Sequence, residues 1–203
     1  MKFFSLLISS FAIIQMAMAG DPDILTDFIV LPNVTNVDGN FFTFTGLRDL
    51  FKGGPSTTLK VSKVILAEFS TLNGQSVSYA VLGYPAGTTS PPHVHPRASE
   101  LLFVVEGTLQ VGFVDTTNKL FTQTLQMGDI FVFPKGLVHF QYNADAQIPV
   151  VAISAFGSAN AGTVSIPITL FTTGIDDVVL AKSFKTNTTT IEALKSGLAP
   201  PMP

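Results

Sequence analysis

The stretch Gly87-Thr88-Thr89-Ser90-Pro91-Pro92-His93-Val94-His95-Pro96-Arg97-Ala98-Ser99-Glu100 runs on through the apolar Leu101-Leu102-Phe103-Val104-Val105 to Glu106-Gly107. Short β-like segments closed by glycine and proline turns are the signature of antiparallel strands. The same rhythm continues on both sides. Apolar or alternating runs at Val61–Phe69, Ser76–Tyr84, Leu101–Val105, Thr108–Val114, Ile130–Phe133 and Pro149–Phe156 are separated by turn residues at Asn73-Gly74, Pro85-Ala86-Gly87, Met127-Gly128-Asp129 and Pro134-Lys135-Gly136. That spacing predicts an all-β barrel or sandwich from Leu59 to Phe156.

All three histidines of the chain fall inside this β region. On a strand of period two, His93 and His95 point to one face and Val94 to the other, which brings their imidazoles within reach of one ion. Glu100 opens an apolar run, where an unpaired carboxylate is costly and a cation removes the cost. A second segment, Gly128 to Asn143, sets His139 between Val138 and Phe140 on another strand. His-x-His alone is a common pattern, and a histidine among apolar residues is often a satisfied core residue. Together, however, three imidazoles and one carboxylate make a donor set suited to a divalent metal bound through nitrogen and oxygen.

Composition narrows the function classes. Eleven basic against 14 acidic residues give a net charge of −3, with no basic excess to neutralise a phosphate backbone, so nucleic-acid binding is not expected. The absence of cysteine removes disulfides, thiolate metal sites and cysteine nucleophiles. Lys2 followed by the apolar run Phe3 to Met18 and the small-x-small pattern Ala17-Met18-Ala19 predicts a signal peptide over residues 1–19, cleaved before Gly20. No other segment is long and apolar enough to span a bilayer. A secreted chain gives meaning to two sequons, Asn33-Val34-Thr35 and Asn187-Thr188-Thr189, as candidate glycan acceptors.

The remainder is read as one domain, residues 20–203, with its barrel over about 59–171 and C-terminal helices over about 174–198. Residues 20–58 form an arm that wraps the barrel, with one helical turn over Gly46 to Lys52. Asp176 to Lys182 is a short helix, and Thr189-Thr190-Ile191-Glu192 reads as a capping box opening another, with Ile191, Leu194 and Leu198 on one face. Such short helices need a partner surface, on the barrel or on another subunit.

The two histidine segments resemble the two signature boxes of the germin and germin-like proteins of the cupin superfamily. The first, Gly-x5-His-x-His-x4-Glu-x6-Gly, is filled by Gly87, His93, His95, Glu100 and Gly107. The second, Gly-x5-Pro-x-Gly-x2-His-x3-Asn, is filled by Gly128, Pro134, Gly136, His139 and Asn143. The resemblance extends to Asp21-Pro22-Asp23, to Thr169-Leu170-Phe171 and to the C-terminal helices. It implies a jelly-roll β-barrel, an apoplastic or cell-wall location, and a homo-hexamer built as a trimer of dimers. It also implies one manganese per subunit, held by His93, His95, Glu100 and His139. Two departures stand out. Ile29 occupies the place of a family cysteine, so the chain looks like a cysteine-free branch. Ala80 and Ser90 take the places of two asparagines found in oxalate-oxidising members, and alanine has no side-chain donor for a carboxylate.

The functional expectation is a superoxide dismutase using manganese, with superoxide or another small anion at the metal. A noncatalytic binding or wall-associated protein stays open as the alternative, with oxalate oxidation behind both. Candidate walls of an apolar cavity are Phe103, Leu109, Met127, Phe131, Phe133, Phe140 and Phe156, each read first as ordinary barrel core. Asn143 is expected to fix the backbone after its strand, and Arg97 to order a surface loop, with guiding anions to the site as its alternative role.

Overall fold

The computed structural model describes residues 21–51 and 57–198. The expected signal peptide, its cleavage point at Gly20 and the end of the first helical turn at Lys52 lie outside the described residues.

Among the described residues ten strands follow the arm: β1 (Lys60–Val64), β2 (Ser78–Tyr84), β3 (Thr89–Val94), β4 (Glu100–Glu106), β5 (Thr108–Val114), β6 (Leu120–Gln126), β7 (Ile130–Phe133), β8 (Val138–Tyr142), β9 (Val150–Phe156) and β10 (Val164–Ser165). They pair antiparallel in two five-stranded sheets, ordered β1-β2-β9-β4-β7 and β10-β3-β8-β5-β6. These are the walls of the jelly-roll barrel that the family resemblance implies, within the all-β class that the strand spacing predicts. Alternation sets what faces inward: Ser78, Ala80, Leu82 and Tyr84 on β2, Glu100, Leu102 and Val104 on β4, and Val150, Ala152, Ser154 and Phe156 on β9 are all buried.

The interior has two zones. One is an apolar plug that includes Leu82, Leu102, Val104, Leu109, Val111, Phe133 and Val150. The other is lined by Ala80, Ala98, Phe156 and Ala161 and opens onto the polar residues. The β4–β5 turn needs a glycine twice over. Gly107 has φ +84°, and a Cβ there would lie 2.8 Å from Val150 Cγ2 and 2.9 Å from the Pro149 carbonyl oxygen.

Among the described residues three α-helices follow the barrel: α1 (Ile166–Phe171), α2 (Asp177–Ser183) and α3 (Thr188–Leu198). Leu180, Ala181 and Ile191 pack together with Phe171 and Ile175 in a small core of their own. The Asp176 carboxylate accepts the Val178 and Val179 amides and caps α2.

Four details differ from the sequence reading. α1 was not expected, because Pro167 reads as a breaker; it sits in the first turn, where its missing N–H costs nothing. The capping box gives way to Asn187, whose Oδ1 accepts the Thr190 amide at 2.9 Å, so α3 starts at Thr188, two residues earlier than a Thr189 cap would set it. β1 stops at Val64, because the chain turns over Ile65–Phe69, with the Phe69 amide bonded to the Ile65 carbonyl. β6 was missed because it is an edge strand paired only with β5, with Leu125 its one buried residue.

Candidate metal centre

β3 carries Pro91 and Pro92, which cannot donate to a ladder, and its register against β8 shifts between Ser90 and His93. Ser90 pairs with Gln141 and His93 with His139, so three steps on β3 match two on β8. This bulge resets the parity and turns both Ser90 and His93 toward the cavity, although they are three residues apart. His95 lies one residue past β3 and keeps the alternation: His93 and His95 are buried and Val94 is half-buried. Glu100 is the first inward residue of β4, and His139 faces inward from β8.

The four side chains meet. One ligand atom from each of His93, His95, Glu100 and His139 lies within 4.8 Å of all the others. All four residues are at most 6% exposed. The His93 and His139 ring centroids are 4.1 Å apart, those of His93 and His95 5.0 Å. Phe133 stacks on His139 and Phe156 meets His95 edge-on, which fixes the ring planes.

Hydrogen bonding at the far side of the rings decides which nitrogens are free. His93 Nδ1 donates to the Pro91 carbonyl at 2.8 Å, and His139 Nδ1 donates to the Leu137 carbonyl at 2.9 Å, the same two-residue reach-back on both strands. In a neutral ring that leaves Nε2 as a lone pair. His139 Nε2 nevertheless lies 3.2 Å from Glu100 Oε2, and His95 Nε2 lies 3.1 Å from the same oxygen. For His139 this sets a nitrogen lone pair against a carboxylate oxygen in a buried site, which calls for a cation between them, and His95 Nδ1 has no partner that would fix its proton there. Two ligands at right angles on bonds of about 2.0–2.2 Å would be separated by about 3 Å, which is the spacing seen.

Glu100 divides its oxygens. Oε2 faces the imidazoles, while Oε1 accepts Ser154 Oγ at 2.5 Å and Gln141 Nε2 at 3.5 Å. Burial alone would raise its pKa, but the close approach of the His139 and His95 rings and the hydrogen bond from Ser154 outweigh that and lower it to about 2, so the carboxylate is charged. Burial, and after it the repulsion of His139, lowers His93 to about 4, which keeps that ring neutral and able to ligate. Ser154 and Gln141 were not singled out from sequence. Their signal was parity: both are polar residues at inward positions of otherwise apolar strands, Ser154 in register with Ala152 and Phe156, Gln141 with His139.

A cavity of about 170 Å³ opens from the centre, lined by Ala80, Ser90, Gln141 and Phe156 and, toward its mouth, by Val61, Lys63, Ile65 and the Asn160–Thr163 loop. Of the expected walls, Phe103 and Met127 are exposed, and Phe140 turns away, its ring packed where a Gly112 Cβ would be. They alternate with, or lie beyond, the inward positions. Asn143 does bind backbone, donating to the carbonyls of Tyr84, Pro85 and Ile148. Arg97 holds Asn160 through its carbonyl and its side-chain oxygen, ordering the mouth loop. Asn33 and Asn187 are both exposed.

The cupin family model matches residues 51–192. Germin-like protein 9-3 of Oryza sativa subsp. japonica is 58% identical over 195 residues, covering 93% of this chain and 91% of that protein. Putative germin-like protein 9-2 of the same organism is 54% identical, covering 99% and 98%. A solved oxalate oxidase in complex with the substrate analogue glycolate superposes with a TM-score of 0.78 at 32% identity, covering 90% of this chain and all of that one. The chain belongs to the cupin family and, within it, to the germin-like proteins, as a member without cysteine.

Proposed function

We propose that this chain is a secreted, manganese-dependent superoxide dismutase of the germin-like group. The observation that carries the reading is the buried contact of Glu100 Oε2 with the Nε2 atoms of His95 and His139, in a site whose other ring nitrogens on His93 and His139 are already committed to backbone carbonyls. His93, His95, Glu100 and His139 would hold the ion; manganese is favoured by the family resemblance and by a donor set without sulfur. Bound manganese supplies one-electron chemistry, by which two superoxide anions and two protons become dioxygen and hydrogen peroxide. The protein's share is to fix the imidazoles through Pro91 and Leu137, to anchor Glu100 through Ser154, and to limit access to what a small cavity admits.

Oxalate oxidation fits less well. Ala80 and Ser90 both line the cavity, and Ala80 brings no polar atom to it. The alternative of a noncatalytic binding protein draws on the same cavity, whose walls are partly apolar.

The secreted state rests on the N-terminal sequence pattern, and N-terminal sequencing of secreted protein is expected to begin at Gly20. The hexamer is supported by an apolar outer face: Leu101, Phe103 and Val105 on β4 and Ile130 and Val132 on β7 are all more than a third exposed. Static light scattering of the secreted protein is expected to give six chains; a stable, fully metallated monomer would contradict it.

The deciding experiment uses purified secreted protein with its metal content measured. Dismutation that disappears on chelation and returns with manganese supports the proposal. Full metal without dismutation favours the binding protein, and peroxide release from oxalate favours the oxidase.

A further inference from the structure

The cavity mouth carries one lysine. Lys63 on β1 lines the same cavity as His93, His95 and Glu100 of the metal centre, and among the described residues it is the one cationic side chain of that lining apart from the histidines. It is exposed, and among the described residues it has no ion-pair partner. The nearby Glu68 turns its carboxylate to the Ile65 amide instead.

The sheet registers say where this charge can reach. Lys63 pairs with Ala80 on β2, and Ala80 pairs with Ser154 on β9, the residue that holds Glu100. Antiparallel partners face the same side, so Lys63, Ala80 and Ser154 form one inward row. With strands about 4.8 Å apart, the Cα atoms at the ends of that row are separated by roughly 10 Å. The middle residue is alanine, which leaves an open lane above it, and a four-carbon stem spans much of the lane. Among the described residues no carboxylate other than Glu100 lines the cavity, and Glu100 is committed to Ser154, Gln141 and the imidazoles.

We propose that Lys63 draws and holds small anions in this cavity, as the second contact of an anion whose first contact is the metal centre. The proposal rests on reading the four buried side chains as that centre, and goes beyond it by assigning a specificity residue outside both histidine segments. Lys63 selects charge, and Ala80 gives it room to do so. For a superoxide dismutase the same ammonium raises the rate of anion capture, an effect that salt screens.

The test uses the purified secreted protein loaded with manganese, titrated calorimetrically with acetate at low ionic strength. Wild type is expected to bind acetate, Lys63→Met about tenfold more weakly, Lys63→Glu more weakly still, and Lys63→Arg near wild type. Ala80→Leu, which fills the lane and keeps the lysine, is expected to lose acetate binding. Manganese affinity should be the same in wild type and in the three Lys63 variants. Equal acetate affinity in wild type and Lys63→Glu, with manganese bound in both, overturns this inference and leaves the metal centre standing. Absence of manganese uptake by the wild type overturns both.

Discussion

Ser154 donates a 2.5 Å hydrogen bond to Oε1 of Glu100, while Oε2 of the same carboxylate faces His95 and His139. A buried serine on β9 thus sets the rotation of a carboxylate on β4, and with it the oxygen offered to an ion. Residues in this supporting position tune metal affinity by factors of about 10 to 100. Ser154→Ala is expected to fold normally, to bind manganese about tenfold more weakly in a competition titration with a chelator, and to alter the Mn²⁺ electron paramagnetic resonance spectrum. An unchanged affinity and spectrum would show that the other ligands hold Glu100 without it.

Acid should destabilise the metal-free protein in two steps. His93 is lowered by burial to about 4 from an ordinary 6.5, so between those values the unfolded chain binds a proton that the folded chain refuses. Stability therefore falls as the pH drops from 6.5 toward 4. Glu100 is lowered to about 2 from 4.5, and its contribution, full above 4.5, is lost as the pH falls from there toward 2. Thermal melts of the metal-free protein at a series of pH values should show Tm falling across both windows, and His93→Gln should flatten the first. A Tm that holds steady from 6.5 to 4 would contradict the assignment.

Asn187 has two separable roles. Its Oδ1 accepts the amide and the hydroxyl of Thr190 and caps α3, while its position in Asn187-Thr188-Thr189 makes it a candidate glycan acceptor. Asn187→Ala removes both features, whereas Thr189→Ala removes the sequon and leaves the cap. In unglycosylated protein the first is expected to cost about 1 kcal/mol by chemical denaturation and the second much less. Equal losses would mean that the cap contributes little.

Much of this was legible from spacing. The alternation of β2, β4 and β9 and the turns at Gly107 and Gly128 are written in apolar periodicity and turn chemistry, and the signature spacing marks the four side chains that meet in the barrel. What escaped depends on tertiary context. β6 shows little apolar pattern because it lies at a sheet edge, and the cap moved to Asn187 because two competing side chains lie within one turn. Ser154 and Lys63 became informative only once strand pairing put them in one row through Ala80, a relationship between β1, β2 and β9 that no local window contains. The outward positions of Phe103 and Phe140 follow from parity beside Leu102 and His139, and aromatic character alone does not reveal it.

The central claim is that His93, His95, Glu100 and His139 hold one ion in common. Metal-free protein titrated with Mn²⁺, with bound metal counted after desalting, tests this most directly when wild type and His139→Ala are compared with circular dichroism confirming that both are folded. One equivalent per chain in wild type and almost none in a folded His139→Ala is the result expected. A folded His139→Ala that still retains one equivalent, or a wild type that retains none, would contradict a shared metal centre.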